Sequence, residues 1–185
     1  MIDVNELRKG TTFKLDGNIY KVLEYSHHKP GRGKATIRVE VRDLRSGVRL
    51  KKKFNSGDSV QDIRLTYRNA KFLYRDGDTY HFMDTETYEQ PALRGEALGD
   101  ATKFLQEDME VKLTFYQGEP LDIELPTTVD QKVVRADPSV RGNTATSVTK
   151  SVTTEGGLEV DVPNFVEEGD IIRVDTRSGE YVTRV

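Results

Sequence analysis

Apolar and polar side chains alternate with a period of two along most of this chain, and turn dipeptides interrupt the alternation at short intervals. That period places successive side chains on opposite faces of a strand and does not suit a helix. Thr12–Leu15 and residues 19–25 flank Asp16-Gly17, a pair that accepts the positive φ of a tight hairpin. Asp76-Gly77 stands between Phe72/Tyr74 and Tyr80/Phe82, Gln117-Gly118 follows Met109, Val111, Leu113 and Phe115, and Ser178-Gly179 precedes 181–185. One departure is visible. Ala97, Leu98, Ala101, Phe104 and Leu105 recur at helical spacing, which predicts a single short helix in the middle of the chain.

The breaks divide 185 residues into three β units, 1–64, 65–126 and 127–185. Each has room for a small five-stranded barrel of the SH3-like or OB type. The expected fold class is all-β, three small barrels in tandem. Residues 55–59 read as a breaker, after which Ile63, Leu65 and Tyr67 resume alternation into the second unit. In the third unit, 141–154 is rich in Ser, Thr, Gly and Asn and reads as a long loop or edge; strands are expected at 158–162 and 171–174. Charged residues at 32% against 35% hydrophobic suit small barrels better than one thick core. With no Cys, disulfides, thiolate zinc sites and cysteine nucleophiles are excluded. No apolar run reaches the roughly 20 residues of a membrane span, and the opening residues lack the apolar core of a signal peptide, so a soluble cytoplasmic protein is expected.

The net charge of −3 conceals a strong asymmetry. The first unit carries 15 Lys/Arg against 8 Asp/Glu, the second 6 against 13, the third 7 against 10. Residues 21–53 alone hold eleven basic side chains and only Glu24, Glu40 and Asp43 of opposite sign. Any one of them can be a solvated strand position, but like charges crowded on neighbouring strands repel, and such clusters persist where a polyanion supplies the countercharge. The first unit is therefore expected to grip nucleic acid.

Within that unit lies Lys29-Pro30-Gly31-Arg32-Gly33-Lys34. It is not a phosphate-binding loop of the Walker type, which would require Gly at 28 and Ser or Thr at 35, where His28 and Ala35 stand. A dinucleotide fingerprint fails at Thr36. The loop reads either as an ordinary flexible Gly/Pro turn or as a tight tip that projects one guanidinium, Arg32, into a narrow crevice. His27, His28 and His81 are too scattered to form a metal trio, and no nucleophile–base–carboxylate arrangement is legible; no catalytic residues, metal or cofactor are expected.

At this point the chain resembles bacterial elongation factor P. The similarity runs through the opening at 4–10, the Lys29-Pro30-Gly31-Arg32-Gly33 loop, Phe82-Met83-Asp84 with Glu86-Thr87-Tyr88-Glu89-Gln90, and two stretches of the third unit beginning at Val160-Asp161-Val162-Pro163 and Val174-Asp175-Thr176-Arg177. The resemblance implies a KOW/SH3-like domain and two OB domains that together mimic tRNA. It implies a monomer that binds both ribosomal subunits between the peptidyl and exit sites. Arg32 would approach the CCA end of peptidyl-tRNA and promote bond formation at consecutive prolines; it would also be the residue modified, by an arginine-modifying glycosyltransferase. Arg32 excludes the tip lysylation of some relatives, and Lys34 is a poorer acceptor. Tyr181 and Arg184 match positions implied to contact RNA. Gly142-Asn143-Thr144 falls where relatives carry a loop facing messenger RNA, but lacks their Asp and one Gly, and Ser151-Val152 stands where Pro-Ala is common. An elongation-factor-P-like paralogue, or a general RNA- or DNA-binding OB protein, is the competing reading; the latter should display aromatic side chains among its cations, and only Tyr20, Tyr25 and Phe54 are on hand.

Overall fold

The computed structural model describes residues 1–138 and 148–185. Its strands form three antiparallel sheets in succession, as the alternation requires. The first contains β1 (Ile2–Asp3), β2 (Thr12–Leu15), β3 (Asn18–His28), β4 (Thr36–Asp43), β5 (Arg49–Asn55) and β6 (Ser59–Asp62), in the order β1-β6-β2-β3-β4-β5. The second contains β7 (Thr66–Asp76), β8 (Thr79–Asp84), β9 (Ala92–Arg94), β10 (Glu110–Tyr116) and β11 (Glu119–Glu124), ordered β11-β10-β7-β8-β9. The third contains β12 (Thr128–Ala136), β13 (Thr149–Thr154), β14 (Glu159–Pro163), β15 (Ile171–Asp175) and β16 (Tyr181–Arg184), ordered β14-β13-β12-β15-β16.

Counted from its own first strand, each of the last two sheets runs 3-2-1-4-5. In both, the edge strands approach one another, β9 beside β11 and β14 beside β16. A five-stranded sheet curled in this way is the OB barrel. The hairpin dipeptides sit where alternation breaks: Asp16 and Gly17 have φ of 51° and 82°, Gln117 and Gly118 of 50° and 82°.

Of three local points, two correct an expectation and one sets the bounds of the single short helix. First, 55–58 is a turn inside the first sheet, because β6 follows it and buries Val60 in the first core. Ile63 and Leu65 then run outside any strand and pack at a junction, while Tyr67 is exposed on β7. Second, the helix is α1 (Gly95–Leu98), and it stops where Gly99 takes a φ of 57°; a 3₁₀ turn, Gly99–Lys103, carries the chain on. Leu98 enters the second core whereas Phe104 enters the third, so the helical spacing served two different cores. Third, part of 141–154 is strand β13, second from the edge. Val152 and Thr154 alternate inward there, since a β-branched Thr packs on a sheet as readily as it solvates a loop.

The units share side chains at both junctions. Between the first and second, Ile19, Leu44, Tyr116 and Leu121 form one buried cluster. Gly47 presses so close that a Cβ there would lie 1.9 Å from the carbonyl oxygen of Glu96. Between the second and third, a Cβ on Gly156 would lie 2.0 Å from the carbonyl oxygen of Lys103. The amide of fully buried Gln131 donates to that same carbonyl at 2.8 Å, and the hydroxyl of Thr154 donates to Gln131.

Candidate nucleic-acid interface

The β3–β4 hairpin carries the candidate tip. Its strands remain paired as far as His28 and Thr36, and Asn55 of β5 pairs with Thr36 on the other side. The amide of Ser56 donates to Ala35 at 2.9 Å and clamps the base. Beyond that, residues 29–35 form a seven-residue tip. Lys29, Gly31, Arg32, Gly33 and Lys34 are exposed, and Pro30 is half-buried. Pro30 favours extended backbone at Lys29, so the loop leaves β3 along the strand direction. Among the described residues, no ion pair or hydrogen bond engages the side chains of Lys29, Arg32 or Lys34.

The two glycines of the tip are not equivalent. Gly33 has a φ of 105°, which a side chain strongly disfavours, whereas Gly31 has ordinary backbone and open space around its missing Cβ. Gly33→Ala therefore carries about 1–3 kcal/mol of local strain that Gly31→Ala does not. If the tip conformation matters, stimulation of translation in a reconstituted assay falls for Gly33→Ala and stays near wild type for Gly31→Ala.

Along β4, positive charge becomes progressively less compensated toward the tip. At the far end Arg42 is mostly buried and lies 3.7 Å from Asp122 of the second unit. Arg45 forms a two-pronged pair with Glu119, both contacts at 3.0 Å. These two cations thus belong to the junction and not to the basic face. Burial pushes the Asp122 carboxyl up, against the opposing pull of Arg42. One step on, Glu40 stands between Lys51 and Glu24. Another step on, Arg38 stands directly beside Lys53, with only Ser26 across from it. A concavity of about 520 Å³ opens here, lined in part by Arg38, Lys51 and Lys53. Two adjacent cations with no anion between them, next to a tip bearing three more, suit a run of phosphates.

The aromatic residues near these cations are occupied. Tyr20 is buried, with Lys52 Nζ 4.6 Å from its ring centre. Tyr25 donates its hydroxyl to the carbonyl of Asn5 under the guanidinium of Arg8. Phe54 packs against Phe13. A free base-stacking platform, which a general single-strand binder needs, is not presented by these three.

His27 and His28 are exposed on β3, and His81 stacks on Tyr74 in the second unit with ring centres 4.5 Å apart. Among the described residues, no group of three His, Cys, Asp or Glu is placed to hold a metal ion. Tyr181 is half-buried against the third core. Arg184 lies over Phe165, 5.0 Å from the ring centre, and 3.5 Å from Asp170. Gly142, Asn143 and Thr144 lie outside the described residues. No described helix is long and apolar enough to cross a membrane.

Sequence models of one family match these units in order: the elongation factor P KOW-like domain at residues 3–60, the elongation factor P OB domain at 65–123, and the elongation factor P C-terminal domain at 129–184. The chain belongs to the elongation factor P family. Elongation factor P of Thermotoga petrophila is 48% identical over 184 residues, and that of Moorella thermoacetica 44%, each alignment covering the whole of both chains. Among solved structures, translation initiation factor 5A from Methanococcus jannaschii is similar at 24% identity, with a TM-score of 0.49 over 67% of this chain and 93% of that one. As a translation elongation factor P, the chain places the family's KOW-like domain on its basic unit.

Proposed function

We propose that this elongation factor P binds the ribosome between the peptidyl and exit sites and steadies the CCA end of peptidyl-tRNA. The observation that carries the reading is the seven-residue tip, with an unpaired Arg32 at the end of a face whose positive charge is less and less compensated toward it. Proline is a conformationally restricted, slow substrate, so peptidyl-tRNA spends time in unproductive geometry at consecutive prolines. Restraining the reacting end lowers the entropic part of the barrier while the ribosome performs the chemistry. The factor itself then needs no catalytic group, metal or cofactor. It acts as a cytoplasmic monomer. Its divisions are 1–64, 65–126 and 127–185, with Tyr181 and Arg184 as further RNA contacts and Gly142, Asn143 and Thr144 toward the messenger.

Arg32 in this reading is also the acceptor for an arginine-directed glycosyltransferase, because its guanidinium is free and flanked by residues without bulk. Occupation of Tyr20, Tyr25 and Phe54 weighs against a general nucleic-acid binder. The test is a reconstituted translation reaction on a message encoding consecutive prolines, run with and without the protein. Acceleration confined to such messages supports the proposal, and none refutes it. A second outcome concerns salt. Each Lys or Arg that meets a phosphate adds about 1 to the slope of log affinity against log salt. Lys53→Gln should therefore lower that slope for ribosome binding by about 1, while Arg45→Gln, taken from the junction, should not.

A further inference from the structure

The second unit is as acidic as the first is basic, and it contains a carboxylate that the fold leaves incompletely served. Asp84 closes β8 inside the Phe82-Met83-Asp84 signature and is 2% exposed. Its Oδ1 accepts the backbone amides of Glu86 at 2.8 Å and Thr87 at 3.0 Å, which holds the following turn. Its Oδ2 is buried and, among the described residues, receives no hydrogen bond. The closest cation, Nη1 of Arg68, is 3.7 Å away, beyond hydrogen-bond distance. The amides of Thr87 and then Glu86 hold the Asp84 carboxyl below the usual carboxylate range, so it is charged at neutral pH. A buried charged oxygen without a donor is costly, and the usual remedy is a charge-assisted partner.

Asp84 lines a cleft of about 390 Å³ together with Arg68, Glu89, Pro91, Phe115 and Pro120. Glu89 is 71% exposed on its side chain. Arg68 is 41% exposed, rests 4.7 Å over the Phe115 ring and meets Glu89 only at 3.4 Å. It thus bridges the two carboxylates through one nitrogen in two long contacts, and only the one to Glu89 is a hydrogen bond. With Arg68 counted, the cleft still carries one negative charge in excess.

We propose that this cleft is a socket for an arginine side chain of a protein partner, with Asp84 as its inner anchor, Glu89 as its outer anchor and Arg68 as the group displaced. Apolar walls accept the methylene stem, and the planar fork of a guanidinium can span two carboxylates as an ammonium cannot. The charge of the whole unit, 13 acidic against 6 basic residues, selects a basic protein surface over RNA. The first unit would then hold nucleic acid while the second holds protein. This assignment stands apart from the role of the tip.

The test uses the full chain, with a blocked Gly-Arg-Gly peptide as probe and its citrulline counterpart as control, followed by amide chemical shifts. Saturable shifts centred on Glu86, Thr87 and Gly118 are expected, with the citrulline peptide about tenfold weaker. Asp84→Asn keeps an acceptor for the turn and should weaken binding about tenfold. Exposed Glu89→Gln cannot disturb the core and should weaken it about threefold. Arg68→Ala should leave binding intact or tighten it. Shifts scattered over the acidic surface, equal binding of the citrulline peptide, or loss of binding in Arg68→Ala would each overturn the socket. So would an oligoribonucleotide that shifts the same amides and depends on Arg68, since the cleft would then be an anion site.

Discussion

Replacing Arg32 with alanine is expected to abolish the stimulation of synthesis through consecutive prolines and to leave the fold untouched. The side chain is exposed on a tip that makes no described side-chain contact, so its removal should change stability by less than about 0.5 kcal/mol. For a chain of this size that is a melting shift of under about 2 °C. Activity should nevertheless fall to the level without factor, because no other tip residue supplies a planar cation at the same place. Arg32→Lys should also lose most activity, since an ammonium neither stacks nor forks as a guanidinium does. Calorimetry and a single-turnover dipeptide assay on the same preparations separate the two effects. Full activity of Arg32→Ala would remove the tip from the mechanism.

The second large effect is structural. Phe104→Ala should cost about 3–5 kcal/mol, much of the 5–15 kcal/mol that a typical fold possesses. Phe104 is 5% exposed and packs in the third core with Val133, Val152, Val160 and Val174, although it is carried by the segment that leads out of α1. Its loss opens a cavity at the junction and weakens the seat of Lys103, whose carbonyl receives Gln131. Urea denaturation should show a lower midpoint and a separate, earlier transition for the third unit. A single transition with an unchanged midpoint would mean that Phe104 adds nothing to that core.

Strand identity was legible because burial on one face imposes period two, and the dipeptides at Asp16-Gly17 and Gln117-Gly118 marked turns through the backbone geometry they permit. The short helix was legible from its spacing, but its end was not, because Leu98 and Phe104 obey that spacing while serving two cores and only Gly99 marks the break. Strand β13 was hidden by composition, as Thr and Ser suit both loops and sheets. The place of 29–34 between two strands of the basic unit could be read directly. That Arg45 pairs closely with Glu119 and that Arg42 lies against Asp122 could not, because those partners lie more than seventy residues away in sequence. Asp84 stood inside a recognisable signature, but its unserved oxygen is visible only in three dimensions.

The close approaches at Gly47 and Gly156 carry an evolutionary consequence. In each joint one side is a bare glycine pressed on a neighbour's carbonyl, so a unit borrowed from a distant cousin should arrive with the wrong relief on its flank. Recombination should thus succeed for whole chains or for adjoining pairs that keep a seam intact, and fail for the middle barrel alone. Such a molecule would behave as a ruler whose graduations are not traded one at a time.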